Sequence, residues 1–118
     1  MLSEQQISRL LDLANLASQK GLVRESRIIL KGVLAVKPDF VPALIGLAFS
    51  HTVVDDFDGA LAILDRVLEM SPHDPDALAM KGLACILAGR RAEAEELFAG
   101  LEQDSAAAAM ARAVMEVA

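Results

Sequence analysis

Each of the chain's two histidines lies in an acidic run: His51 precedes Asp55, Asp56 and Asp58, and His73 precedes Asp74 and Asp76. Imidazole and carboxylate groups can share a divalent metal, but only when their spacing makes them converge, and neither run has a recognised ligand spacing. Carboxylates in turns and at helix starts have a simpler role. They accept hydrogen bonds from the unpaired N–H groups of a first turn and complement the positive end of the helix dipole. Cys85 is the single thiol, no Ser-His-Asp set is identifiable, and the glycines do not cluster into a loop that would cradle phosphate. These residues predict no catalytic site, no metal and no cofactor.

The scaffold that carries them is small. At 118 residues, 54% hydrophobic and 24% charged, the chain has the length of one domain and enough apolar material to bury a core. A net charge of -6 argues against a nucleic-acid partner, because phosphate binding draws on basic surface. Mean hydropathy is high at +0.41. Even so, the longest uncharged stretch, Phe40 to Val54, contains Pro42, Ser50, His51 and Thr52 and falls short of the roughly 20 apolar residues that span a bilayer. It reads as a buried core helix, with no membrane insertion. One cysteine cannot close an intramolecular disulfide, and Met1 leads into Leu2-Ser3-Glu4-Gln5 rather than a basic and then apolar leader, so a reducing, cytoplasmic location is expected. Charge is unevenly placed: residues 1–40 hold six basic side chains against four acidic ones, and the acidic excess lies in residues 41–118.

A step of 34 residues organises the sequence. It relates Pro38 to Pro72, and Gly21 to Asp55 and Gly89. It also relates the small residues Ala14, Ala48 and Gly82, the small residues Ser26, Ala60 and Ala94, and the large apolar residues Leu30, Leu64 and Phe98. Within the second unit, Leu44, Leu47, Ala48 and His51 follow the i, i+3, i+4, i+7 spacing of one helical face. Pro42 and Pro75 suit first turns of helices, Pro38 and Pro72 follow helix ends, and Asp39 and Asp74 are candidate N-caps. The pattern predicts helices at about 4–20, 24–37, 41–54, 57–70, 75–88, 91–103 and 106–117.

The second unit reads Leu44-x2-Leu47-Ala48-x2-His51, then Ala60-x3-Leu64, then Pro72. This resembles the tetratricopeptide repeat pattern W-x2-L-G-x2-Y, A-x3-F, P, with the aromatic residues replaced. The third unit departs at Lys81 and has Ala106 in place of the proline, and the first, from Leu10 to Pro38, is the most degenerate. The resemblance implies an all-α fold: a short right-handed superhelix of antiparallel helix pairs, with one domain over 1–118, repeats at about 7–40, 41–74 and 75–106, and a C-terminal helix at about 106–117. In the repeat frame, His51 and Cys85 take a packing position between helices. The last helix, Ala106 to Ala118, carries only Arg112 and Glu116 as charges, although a terminal helix of a solenoid normally has a polar outer face. Either it folds back into the core or another chain covers it, such as a second copy or a small helical co-chaperone.

In tetratricopeptide proteins the first helix of each pair lines a concave groove, and ligands touch the face opposite the packing residues. The frame places Leu11, Asn15 and Ser18 there from the first unit, Ile45, Phe49 and Thr52 from the second, and Ala79, Leu83 and Ile86 from the third. Family members that grip an acidic C-terminal tail use Lys, Arg and Asn at such positions, and this chain supplies only Asn15. A mostly apolar trough fits an amphipathic helix with anchors at i, i+3 and i+7. The expected function is a protein-protein interaction module for a helical protein or peptide. In size, acidity and groove character it resembles the small tetratricopeptide chaperones of bacterial type III secretion. The alternatives are a self-associating scaffold and a regulatory subunit of another bacterial assembly.

Overall fold

The computed structural model describes residues 2–101 and 105–117. Among them the chain forms α1 (Glu4–Gln19), α2 (Val23–Val36), α3 (Val41–Val53), α4 (Phe57–Met70), α5 (Pro75–Leu87), α6 (Arg91–Ala99) and α7 (Ala106–Val117), with no strand. Helix starts are set by side chains. Ser3 and Gln6 form a reciprocal capping box at α1, with bonds of 3.1 and 2.8 Å. Asp56 and Asp74 cap α4 and α5 by accepting from the amides of Gly59 at 3.1 Å and Ala77 at 2.9 Å. Pro42 and Pro75 occupy first turns, where a missing N–H leaves nothing unpaired. Asp39 does not cap α3: Phe40 holds the N-cap position without a side-chain bond, and Asp39 pairs instead with Arg66 of α4 at 2.7 Å.

The turn inside each helix pair is built the same way three times. Gly21, Asp55 and Gly89 have φ of 81°, 62° and 82°, the left-handed conformation that ends a helix. The next residue then donates back across five positions, Leu22 to the Ala17 carbonyl at 2.8 Å, Asp56 to His51 at 2.9 Å and Arg90 to Cys85 at 2.7 Å. This bond satisfies a carbonyl that the helix end would otherwise leave open. Glycine bears the conformation without strain at two of the turns, and aspartate, which tolerates it better than most residues, bears it at the third.

Buried clusters join each pair to the next. Ile7, Ala14, Leu30, Val33 and Ala43 link α1, α2 and α3, and Leu44, Ala48, Ala60, Leu64, Val67 and Ala77 link α3, α4 and α5. The small residues at Ala14, Ala48, Ala60 and Ala94 are fully buried, where axes approach too closely for a larger side chain. Gly82 is the tightest: a Cβ there would run into the ring of Phe98. Ser18 and Ser26, buried between α1 and α2, satisfy each other through a 2.7 Å hydroxyl bond.

The first five helices end within a residue of their expected bounds, whereas α6 stops at Ala99: Gly100 and Leu101 are not helical, and 102–103 lie outside the described residues. The alanine-rich α7 folds back onto its own domain. Ala108 and Ala111 bury themselves against Ala79 of α5, together with Leu101. The molecule is elongated, 42 × 26 × 22 Å, as a stack of pairs should be.

Candidate functional site

The faces of α1, α3 and α5 that point away from their second helices converge on one open trough of about 280 Å³. Asn15 and Gln19 come from α1, Pro42, Ile45 and Phe49 from α3, and Met80 from α5. Ile45 and Met80 are partly buried against the Leu44–Ala48–Leu64 cluster, so packing fixes these walls before any ligand arrives. Gly46 shapes the floor. A Cβ at this position would lie 3.1 Å from Leu30 Cδ2 and 3.3 Å from Asn15 Oδ1, so the bare backbone lets α1 and its asparagine lie close.

Of the nine positions the repeat frame points to, the structure brings Asn15, Ile45 and Phe49 together here. Ser18, Thr52 and Ala79 are corrections: all three are buried and line no open surface. The Ser18 hydroxyl donates to Ser26, the Thr52 hydroxyl donates to the Ala48 carbonyl at 3.0 Å, and α7 covers Ala79. The residues that follow Ser18 and Thr52, Gln19 and Val53, are exposed, as is Leu87 after Ile86, and of these Gln19 lines the trough. Ile86 packs on the Leu61–Ala84–Cys85–Ala94 cluster, and Leu83 is half-buried. Leu11 lies in a separate recess of about 230 Å³ with Ile7, Lys37 and Phe40. Met80 and Gln19 were missed. The 34-residue step makes Met80 the equivalent of Gly46, and both line the trough one residue after a position of the frame, Ile45 or Ala79.

Behind the trough, the polar groups of α3 are paired. Arg27 of α2 donates to the Ser50 hydroxyl at 3.1 Å and places a guanidinium nitrogen 3.2 Å from His51 Nδ1. The same Nδ1 lies 2.8 Å from Asp56 Oδ2. A carboxylate offers only acceptors and a guanidinium only donors, so the shorter contact assigns the proton to Nδ1, donating to Asp56. The His51 hydrogen bond, and then the Gly59 amide, hold the Asp56 carboxyl below the usual aspartate range. His51 is therefore a structural link between α2, α3 and the start of α4.

Cys85 is buried, and its thiol donates to Glu93 at 3.6 Å. Burial first, and then that carboxylate, push its pKa up, the opposite of what a nucleophile needs. Among the described residues no three His, Cys, Asp or Glu side chains are grouped as metal ligands. None of the described helices is long and apolar enough to cross a membrane.

Stacked helix pairs with a trough along their first helices are the geometry that the repeat resemblance predicts. The sequence matches the family model of the tetratricopeptide repeat over residues 55–116, more than half of the chain. The chain belongs to the tetratricopeptide repeat family. A comparison with curated proteins returned no match. Tetratricopeptide repeats are generally non-enzymatic interaction modules that bind protein partners. The matched span runs from Asp55 in the α3–α4 turn almost to the end of α7, and so includes the alanine-rich helix within the tetratricopeptide region.

Proposed function

We propose that this tetratricopeptide protein is a non-enzymatic chaperone or adaptor that holds an amphipathic helix of a partner protein against the trough between α1, α3 and α5. The observation that carries the reading is the composition of that trough. Ile45, Phe49 and Met80 form an apolar strip, and Asn15 and Gln19 supply amide donors and acceptors at one side. A helix with apolar anchors on one face and polar flanks matches that strip and margin. A single asparagine without nearby Lys or Arg among the lining residues does not suit capture of an acidic tail.

The site is shorter than the repeat frame alone implies, because α7 covers Ala79. A partner helix therefore engages the first and second pairs and ends against Met80. Holding a helical segment that would otherwise aggregate is the role of the small tetratricopeptide chaperones of bacterial type III secretion. A bacterial, cytoplasmic chaperone of that kind is the specific form we favour.

Fluorescence anisotropy with labelled amphipathic helical peptides, apolar at i, i+3 and i+7, tests the reading. Phe49→Asp should weaken binding by at least about tenfold, the cost of burying an unpaired carboxylate, with the circular dichroism spectrum unchanged. Gln19→Ala should weaken it less. Equal binding by wild type and Phe49→Asp would refute the trough as the site.

A further inference from the structure

The two ends of the stack expose surfaces that are covered everywhere inside it. In the second and third pairs, the side of the first helix that meets the preceding second helix is occupied at every equivalent position. Leu47 packs on the Leu30–Val33 cluster, Ser50 takes the Arg27 bond, Lys81 reaches Asp65 of α4 at 2.6 Å, and Ala84 is buried with Leu61. The same positions in α1, by the 34-residue step, are Leu13 and Leu16, which are 53% and 48% exposed. Arg9 and Lys20 extend that stripe, so the exposed pair is flanked by positive charge at both ends.

The opposite end has the reciprocal gap. Phe98 is the equivalent of Leu30 and Leu64, both fully buried, yet Phe98 is only half-buried. The helix after α6 lies on α5 through Ala108 and Ala111 and leaves a cleft of about 420 Å³ beside α6. Phe98, Ala99, Leu101 and Met115 are part of its apolar lining, and Arg112 and Glu116 line it beside them with one charge of each sign. The volume is at the lower end of the roughly 300–1,000 Å³ typical of ligand sites. The ends are also opposite in charge. In α6 and α7, Glu93, Glu95, Glu96 and Glu116 stand against Arg91 and Arg112, and residues 1–40 hold six basic side chains against four acidic ones.

We propose that a second copy of this chain docks the Leu13–Leu16 stripe of its α1 at the cleft between α6 and α7, so that copies stack head to tail. The apolar pair enters the cleft and the basic flanks face the acidic end. Head-to-head pairing would oppose Arg9 and Lys20 to their own copies, which like charge disfavours. A head-to-tail contact does not close on itself, so mass should rise continuously with concentration rather than stop at a dimer. This surface lies apart from the trough, and the inference stands or falls independently of the proposed partner helix.

Sedimentation velocity over roughly three decades of concentration is the test, since an interface of this small class associates weakly. Wild type should grow in mass with concentration and shrink back in high salt. Leu16→Glu blocks the head and Ala99→Arg the tail; both alter exposed residues, and a circular dichroism melt checks that each folds. Each variant alone should stay at the 12.5 kDa monomer mass, and an equal mixture should form a species of about twice that mass and no larger. Leu13→Glu should repeat the Leu16→Glu result. A wild type that stays monomeric throughout, a variant that still grows, or a mixture that stays monomeric would each overturn the proposal.

Discussion

His51 Nδ1 and Asp56 Oδ2 meet at 2.8 Å directly over Gly59, where a Cβ would come within 2.9 Å of the His51 nitrogen and closer still to the Asp56 carboxylate. Replacing a helical glycine by alanine normally stabilises by about 1 kcal/mol. Here Gly59→Ala must push the pair aside and disturb the cap, so the expected result is a net loss of about 0.5–1 kcal/mol, within the common range for point substitutions. In a background that carries both His51→Ala and Asp56→Ala the obstruction is gone, and the same substitution should stabilise. A sign that stays the same in both backgrounds, measured by urea unfolding, would show that the pair does not constrain Gly59.

Asp56 also predicts a pH dependence. Its pKa is lowered in the fold by the His51 bond and then the Gly59 amide. Such a group stabilises the fold above its ordinary value of 3.8 and loses that contribution as pH falls through the lowered value. The difference in melting temperature between wild type and Asp56→Asn should be full at pH 6 and shrink on acidification below about pH 4. A difference that is constant from pH 6 to pH 2.5 would contradict it.

Gly82 and Phe98 form the closest helix crossing in the third pair. Phe98 packs on the cluster with Cys85 and Ala94 and on the one with Ala79 and Leu101, so a ring that retreats toward the cleft beside α6 gives up those contacts. Gly82→Ala should cost about 1–3 kcal/mol as overpacking, despite alanine's better helix propensity. Adding Phe98→Leu should recover part of the loss. Calorimetry that shows Gly82→Ala to be as stable as wild type would remove this crossing as a constraint.

Cys85 should be protected in the native state. Burial and the Glu93 carboxylate raise its pKa above the ordinary 9.0, so the fold favours the thiol and resists ionisation. That contribution to stability is present below pH 9 and is lost as pH rises toward the shifted value. At pH 8 a thiol reagent should label the unfolded chain rapidly and the native protein only as fast as the domain opens. Rapid labelling under native conditions would contradict both the burial and the shift.

The repeat step made most of the fold readable. Gly21, Asp55 and Gly89 mark the three left-handed turns, and Ala14, Ala48 and Ala60 mark the close crossings, because backbone conformation and steric limits recur wherever the unit recurs. The trough was legible at Asn15, Ile45 and Phe49, in the middle of the first helices. It failed at Leu11, which lies in a separate recess, at Ala79, which α7 covers, and near the helix ends, where a face assigned by family analogy ran one residue early. There Ser18 and Thr52 turn inward to satisfy their hydroxyls, and Gln19 lines the trough in place of Ser18. The seat of α7 was not legible, because an amphipathic stripe shows which side of a helix is buried and not what buries it, so the sequence left its own helices and another chain as equal candidates. Asp39 misled for a related reason: an acidic residue before a helix can cap it or pair across the surface, and only the position of Arg66 decides.

Because the buried clusters join each helix pair to its immediate neighbour, cooperativity along the molecule is short-ranged. A chain of nearest-neighbour couplings frays from its ends inward. Backbone amides of α3 and α4, gripped from both sides, should exchange with solvent more slowly than those of α1 or α7. Ile45 and Phe49 stand on the slowest-exchanging element, and so the centre of the proposed docking trough should stay formed while the ends of the stack open and close.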